Sequence, residues 1–248
     1  MRYFIELSYN GSAYHGWQNQ PNAISVQELV EKDLSTLLKE AISVMGAGRT
    51  DTGVHAKQMY AHFDSNELID EADIVFKMNS FLPKDIAIHK IFRATDDAHA
   101  RFNAISRTYL YRVGLKKNAF NFNTAYYVKH PLDLSAMQVA TRILFEYKDF
   151  QCFSKSKTDV KTYNCNIMKA DWELVGDELH FTIQADRFLR NMVRAIVGTL
   201  INIGLKKISL EDFHAILESK DRREAGFSVP AKGLYLIDVE YPDDIKYK

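Results

Sequence analysis

The chain has 248 residues, 46% of them hydrophobic, with 32 Lys and Arg against 32 Asp and Glu. That is apolar material for one large or two small domains, which run about 100–200 residues each. Zero net charge argues against a uniformly basic nucleic-acid binder, and no apolar run reaches the roughly 20 residues that cross a membrane. A soluble, cytoplasmic protein is expected. The opening residues Met1-Arg2-Tyr3-Phe4-Ile5-Glu6 already alternate like a strand, so no signal peptide is expected before the fold. Cys152 and Cys165 match no zinc motif and are too few for a disulfide framework, so they are read as reduced structural thiols, with no metal site. Residues 1–104 hold 10 Lys and Arg against 14 Asp and Glu, whereas residues 105–248 hold 22 against 18. A bound polyanion would lean on the second half.

In chain order, residues 2–9 alternate as a strand, and residues 10–24 form a loop rich in Gly, Asn, Tyr and Gln. Ser25 and Glu28 read as a capping box for a helix running through Glu40, with Val26, Leu29, Val30, Leu34, Leu37 and Leu38 at helical spacing. A short strand is expected over residues 41–45, another over 57–64, a helix over 70–81 and a strand over 85–93. The order βαββαβ then repeats. Strand 107–115 leads to helix 135–145, and strands 161–174 and 178–185 are joined by the hairpin signal Val175-Gly176-Asp177. Helix 189–205, an extra helix 210–217 and a closing strand 234–241 follow. The expected fold is α+β, with two ferredoxin-like halves, residues 1–104 and 105–248, forming a continuous mixed and antiparallel sheet with a central cleft.

The stretch Gly46-Ala47-Gly48-Arg49-Thr50-Asp51-Thr52-Gly53-Val54-His55-Ala56 concentrates the chemistry. Its glycines permit tight turns, and a loop built only to turn has no need of Arg, Asp and His packed so densely. A phosphate-binding loop fits poorly, because Gly-x-x-x-x-Gly-Lys-Ser/Thr is absent. A structural turn carrying an Arg49–Asp51 surface pair is a second reading. The third is an active-site loop in which Asp51 reacts as nucleophile or base, kept ionised by a cation. His55 is read as a loop-ordering hydrogen-bonding group, and His62, His89 and His180 as structural. Arg187, Arg190 and Arg194 are spaced to line one face of the helix over 189–205.

The same eleven residues resemble the signature of the TruA family of tRNA pseudouridine synthases. So do Tyr9-x-Gly11-x-x-Tyr14-x-Gly16-Trp17-Gln18, Ser25-Val26-Gln27, His99-Ala100-Arg101-Phe102, Arg107-x-Tyr109-x-Tyr111, Phe188-x-x-x-Met192-Val193-Arg194-x-Ile196-Val197-Gly198 and Gly233-Leu234-Tyr235-Leu236, in family order over nearly the whole chain. Thr52 departs from the Ala of many members. The resemblance implies an isomerase that converts uridine to pseudouridine at positions thirty-eight, thirty-nine and forty of the tRNA anticodon arm. It implies no cofactor, Asp51 as the essential residue, Tyr109 stacked on the extruded uracil, and Arg49 as a substrate contact. Arg194 is expected to pair with Asp51, while Tyr111 is left as core. Lys155, Lys157, Lys161, Arg187, Arg190 and Arg101 are the expected RNA surface. The family is homodimeric, each tRNA touching both subunits. An RNA-binding module is the runner-up, because ferredoxin-like sheets with exposed aromatics also bind RNA.

Overall fold

The computed structural model describes residues 1–155 and 160–247. The chain divides into two compact units, residues 1–106 with 235–248, and residues 107–234. It is an α+β fold.

The first unit contains β1 (Arg2–Tyr9), α1 (Val26–Leu38), β2 (Met45–Gly46), β3 (His55–Asp64), α2 (Glu71–Phe81) and β4 (Ile86–Arg93). Its antiparallel order β4-β1-β3-β2 is that of a ferredoxin-like βαββαβ unit. Ser25 caps α1 by accepting the Glu28 N–H, and Lys39 ends the helix in the left-handed region at φ 55°. Tyr3, Ile5 and Leu7 of β1, Met59, Ala61 and Phe63 of β3, and Val26, Val30 and Leu34 of α1 are all buried. Each Val, Leu, Ile, Phe or Met among them contributes about 1.5–3 kcal/mol on burial. On the sheet's other face, Phe4 packs with Ala94, Ala98, Ala100 and Ile245.

The strand expected over 41–45 shrinks to Met45–Gly46. The backbone before it is bonded to α1 side chains instead: the Ile42 N–H donates to Ser35 Oγ at 2.9 Å and the Val44 N–H to Glu31 Oε1 at 2.8 Å. β2 therefore covers only the far end of β3, at His62 and Ala61. The near end, His55 and Ala56, pairs in parallel with Tyr235 and Leu236 of the last strand, β9 (Leu234–Glu240). The sequence reading closes the second half with that strand, yet residues from Tyr235 onward group with the first unit.

The second unit runs from β5 (Ser106–Gly114) through β6 (Tyr126–Tyr127), α3 (Leu134–Ile143), β7 (Ile167–Val175), β8 (Glu178–Ala185), α4 (Met192–Gly204) and α5 (Leu210–Ser219). Its sheet has the order β5-β8-β7, with β6 along β5. Gly176, at φ 59°, turns the β7–β8 hairpin where only two residues separate Val175 from Glu178. The strand expected from 161 starts only at Ile167, because the preceding backbone is engaged elsewhere. Tyr163 O accepts the Phe150 N–H, and the Cys165 N–H donates to Lys148 O. Both cysteines are buried and free, their thiols pushed up to about 12 chiefly by burial.

The helix expected over 189–205 begins at Met192, since Asn191 sits at φ 69° and cannot continue a right-handed helix backwards. Eleven of the thirteen α4 residues are buried, so this is a core helix. Arg187 and Arg190 precede it, and the expected stripe of three arginines on one helix face does not exist; only Arg194 lies in α4.

At the β8 start, Glu178 accepts bonds from Arg112 (2.8 and 2.9 Å), Asn121 (2.6 Å) and His180 (3.0 Å). Burial alone would raise its pKa, but these donors hold it down at about 2. A carboxylate depressed on folding stabilises above its unfolded value and loses that contribution as pH falls through the folded one. The gap in thermal midpoint between wild type and Glu178→Gln should therefore be widest above about pH 4.5 and narrow from there toward pH 2. Midpoints measured across that window check it; a gap independent of pH contradicts the assignment.

Candidate active site

The loop carrying Asp51 leaves β2 at Gly46 and re-enters the sheet at His55. Its path is fixed by β1, by the segment that follows it and by β3. The Ala47 N–H donates to Tyr60 O at 2.7 Å, the Gly53 N–H to Tyr14 O at 3.2 Å, and the Val54 N–H to Asp51 O at 3.1 Å. The Tyr9 hydroxyl meets Thr50 Oγ1 at 2.9 Å. The Gly11 N–H donates to His55 Nδ1 at 3.1 Å, which requires that nitrogen to be unprotonated. The His55 ring is 2% exposed and stacks on Tyr235 with centroids 4.5 Å apart and planes at 18°. His55 is thus the loop-ordering group expected of it.

Two glycines of the Tyr9–Trp17 block allow this approach. A Cβ on Gly11 would overlap the Val54 carbonyl, and one on Gly16 would overlap the Thr50 carbonyl. Gly16 also sits at φ 86°. From the loop side, Gly46 lies against the buried Trp17 indole. Tyr14 is held in turn by its hydroxyl, which donates to the Asp85 carboxylate. Burial first, and that carboxylate second, raise the Tyr14 phenol well above its ordinary range. The sequence alone assigns this block no role. The signal was two glycines five apart among three large aromatics.

Within this frame Asp51 is half-buried and Arg49 exposed. Among the described residues Arg49 makes no ion pair, so the surface-pair reading of this loop loses its support.

In the second unit, Tyr109 lies on β5 opposite Ile183 of β8. Its ring is half-buried and meets Phe188 edge-on, with centroids 5.1 Å apart and planes at 90°. Tyr111, on the same face, is fully buried and donates to Pro230 O at 2.8 Å, so it is core, as read. Arg107 Nη1 donates to Asp186 O at 2.9 Å, tying β5 to the turn that leads to Phe188.

Arg194 occupies the first turn of α4. Its Nε donates to Val229 O at 2.7 Å, and the Val229 N–H returns a bond to Arg194 O at 3.2 Å. The same strap is fastened by Asn191 to Ser228 (2.7 Å) and by the Gly226 N–H to Thr199 (2.9 Å). Gly198 lets it approach, because a Cβ there would overlap the Phe227 carbonyl. The Arg194 guanidinium is consequently held at its Nε edge. Sequence reasoning missed this strap, which no local motif announces.

Of the expected RNA surface, Lys155, Lys161, Arg190 and Arg101 are exposed and Arg187 is half-buried. The Lys155 N–H donates to Arg190 O at 3.0 Å, which brings those two residues together. Arg101 belongs to the first unit, apart in sequence from the others. Lys157 lies outside the described residues.

A family model described as tRNA pseudouridine synthase matches residues 7–103 and 147–242. The chain is 51% identical over 247 residues to the tRNA pseudouridine synthase A of Parabacteroides distasonis, covering 98% of this chain and 97% of that one. It is 51% identical over 247 residues to the protein of the same name from Bacteroides thetaiotaomicron, covering 98% and 92%. Against the namesake from Bacillus licheniformis the identity is 39% over 245 residues, covering 97% and 99%.

Gly16→Ala should destabilise the protein by roughly 1–3 kcal/mol, since it adds both overlap and an unfavourable φ. Tyr9→Phe removes the hydroxyl that meets Thr50 Oγ1 and leaves the backbone approach intact, so it should cost only about 0.5–1.5 kcal/mol. Urea unfolding of both variants checks the ranking; equal costs contradict the close-approach role of Gly16.

Proposed function

We propose, for a chain that belongs to the tRNA pseudouridine synthase family and is an isomerase, that Asp51 opens the glycosidic bond of uridines in the anticodon arm of tRNA. The positions proposed are thirty-eight, thirty-nine and forty. The observation that carries this is the anchoring of the Asp51 loop. A half-buried carboxylate sits at the turn of a backbone fastened on both sides and backed by an aromatic layer. Such fastening holds a reacting group in place before substrate arrives, which is what positioning catalysis requires.

The reaction breaks the N1–C1′ bond, turns the uracil and joins its C5 to C1′. The C5 hydrogen then leaves as a proton and N1 gains one from solvent, so the product is an isomer of uridine. An ionised carboxylate serves either route to that product, by adding to C1′ or by removing the C2′ proton. In this reading Arg194 pairs with Asp51 and keeps it ionised, and its bond to Val229 sets the direction of the guanidinium. The Tyr109 ring, steadied edge-on by Phe188, stacks on the displaced uracil. Arg49, exposed beside Asp51, contacts the substrate in place of the extruded base. Lys155, Lys157, Lys161, Arg187, Arg190 and Arg101 take the phosphates. The assembly proposed is a cytoplasmic homodimer whose two subunits share each tRNA.

Tritium release from C5-labelled tRNA tests the reaction and its central residue together. Asp51→Asn should bind tRNA and release no tritium; release near the wild-type rate refutes the role, and a pure binding module would release none with either chain. Arg194→Lys keeps the charge but loses the planar fork, so its turnover should fall sharply, and near-normal turnover contradicts the pairing. Affinity for tRNA should drop steeply as salt rises, since phosphate contacts release counterions. Titrations at two salt concentrations suffice, and flat binding contradicts the phosphate surface.

A further inference from the structure

The segment from Arg112 to Leu132 contains Arg112, Lys116, Lys117 and Lys129, and no Asp or Glu. It also carries two phenylalanines and three asparagines between residues 118 and 123. In the structure this stretch is a loop beside a cleft of about 560 Å³, lined by Arg112, Lys116, Lys117, Phe120, Glu178 and His180 among others. Phe120 is 97% exposed and Phe122 62%. The loop is nonetheless fastened. Asn121 donates to Glu178 at 2.6 Å, the Phe120 N–H to Asn118 Oδ1 at 2.8 Å, and Lys232 Nζ to Phe122 O at 2.6 Å.

Both acidic groups on the rim are already matched. Glu178 is bonded by Arg112 and His180, and Asp177 pairs with Lys116 at 2.8 Å. Among the described residues Lys117 makes no ion pair and is exposed. What reaches solvent is therefore a phenyl ring beside surplus positive charge.

A second copy of this chain is a poor occupant. A two-fold contact would set the patch against itself, with like charges opposed around the two rings. A polyanion with flat, unpaired bases matches both properties, because every base offers a face for stacking and every nucleotide a phosphate. We infer that the loop over residues 116–122 is a further RNA contact, in which Phe120 stacks on an unpaired base of the bound tRNA and Lys117 meets an adjoining phosphate. This rests on the reading of the chain as a tRNA-modifying enzyme, and it adds a contact that no motif of the loop over residues 46–56 supplies.

The test is binding of an unmodified tRNA transcript to the full chain, by anisotropy, over a range of salt. Phe120→Ala should weaken binding by about 5- to 150-fold, the range of one base–aromatic stack. Phe120→Trp should bind at least as well as wild type, while Phe120→Leu, apolar but without a π face, should resemble the alanine variant. Lys117→Gln should flatten the log–log salt slope by about 0.7–0.9, for one lost phosphate contact. Sedimentation should be unchanged in all of them. Wild-type affinity in Phe120→Ala, or tight binding by Phe120→Leu, overturns the stacking contact. A change of oligomeric state in Phe120→Ala overturns it in favour of a second copy. If wild-type protein itself fails to bind tRNA, the proposed function is what has failed, and this contact falls with it.

Discussion

The close approach of two backbones, the segment after β1 and the loop before β3, is the constraint on which the rest of the first unit depends. Gly11 lies against Val54 and Gly16 against Thr50, at separations that leave no room for a side chain. Contact this tight lets main-chain groups bond directly, as Gly53 does to Tyr14 and Gly11 to the His55 ring. The aromatic residues of the same segment then fill the space beneath. Trp17 backs Gly46, and Tyr9 stacks on Trp17 with centroids 6.3 Å apart while its hydroxyl reaches Thr50. Asp51 is carried by this frame, and its neighbours in sequence have little freedom to move it.

The edge of β3 explains why such a loop occurs there. One strand, β2, occupies the edge at Ala61 and His62, and another, β9, at His55 and Ala56. Between them the Gln58 side chain accepts the Val239 N–H at 3.0 Å, and Tyr60 O accepts the Ala47 N–H. A ferredoxin-like unit with a full-length second strand would close this edge with a ladder. Because β2 ends at Gly46, residues 47–54 cross to β3 as a loop, at the point where β9 begins its pairing with β3. The loss of strand before Met45 is a separate matter with a local cause in the donors Ile42 and Val44, which α1 captures through Ser35 and Glu31.

Much of this was legible in the residues. Period-two and helical spacing located β1, β4, β8, α1, α2 and α5 to within a residue or two, because each buries one face. The density of ionisable groups between glycines singled out Asp51. Errors fell where backbone groups find partners outside regular structure. Residues 41–44 and 161–166 have strand-like composition, but side chains and a distant loop take their hydrogen bonds. The start of α4 was misplaced because periodicity persists through Phe188 and Leu189, whereas a single left-handed residue, Asn191, decides the boundary. The strap over 226–229 was invisible because its packing depends on Gly198 and Thr199, more than twenty residues earlier.

Amide hydrogen exchange of the free protein tests the central claim, that the Asp51 loop is arranged before tRNA arrives. The account predicts that the amides of Gly11, Ala47 and Gly53 exchange as slowly as those of β3, since Gly53 is bonded to Tyr14 O, Gly11 to the His55 ring and Ala47 to Tyr60 O of β3. Exchange at the rate of an open surface loop, slowing only when tRNA is added, would contradict it.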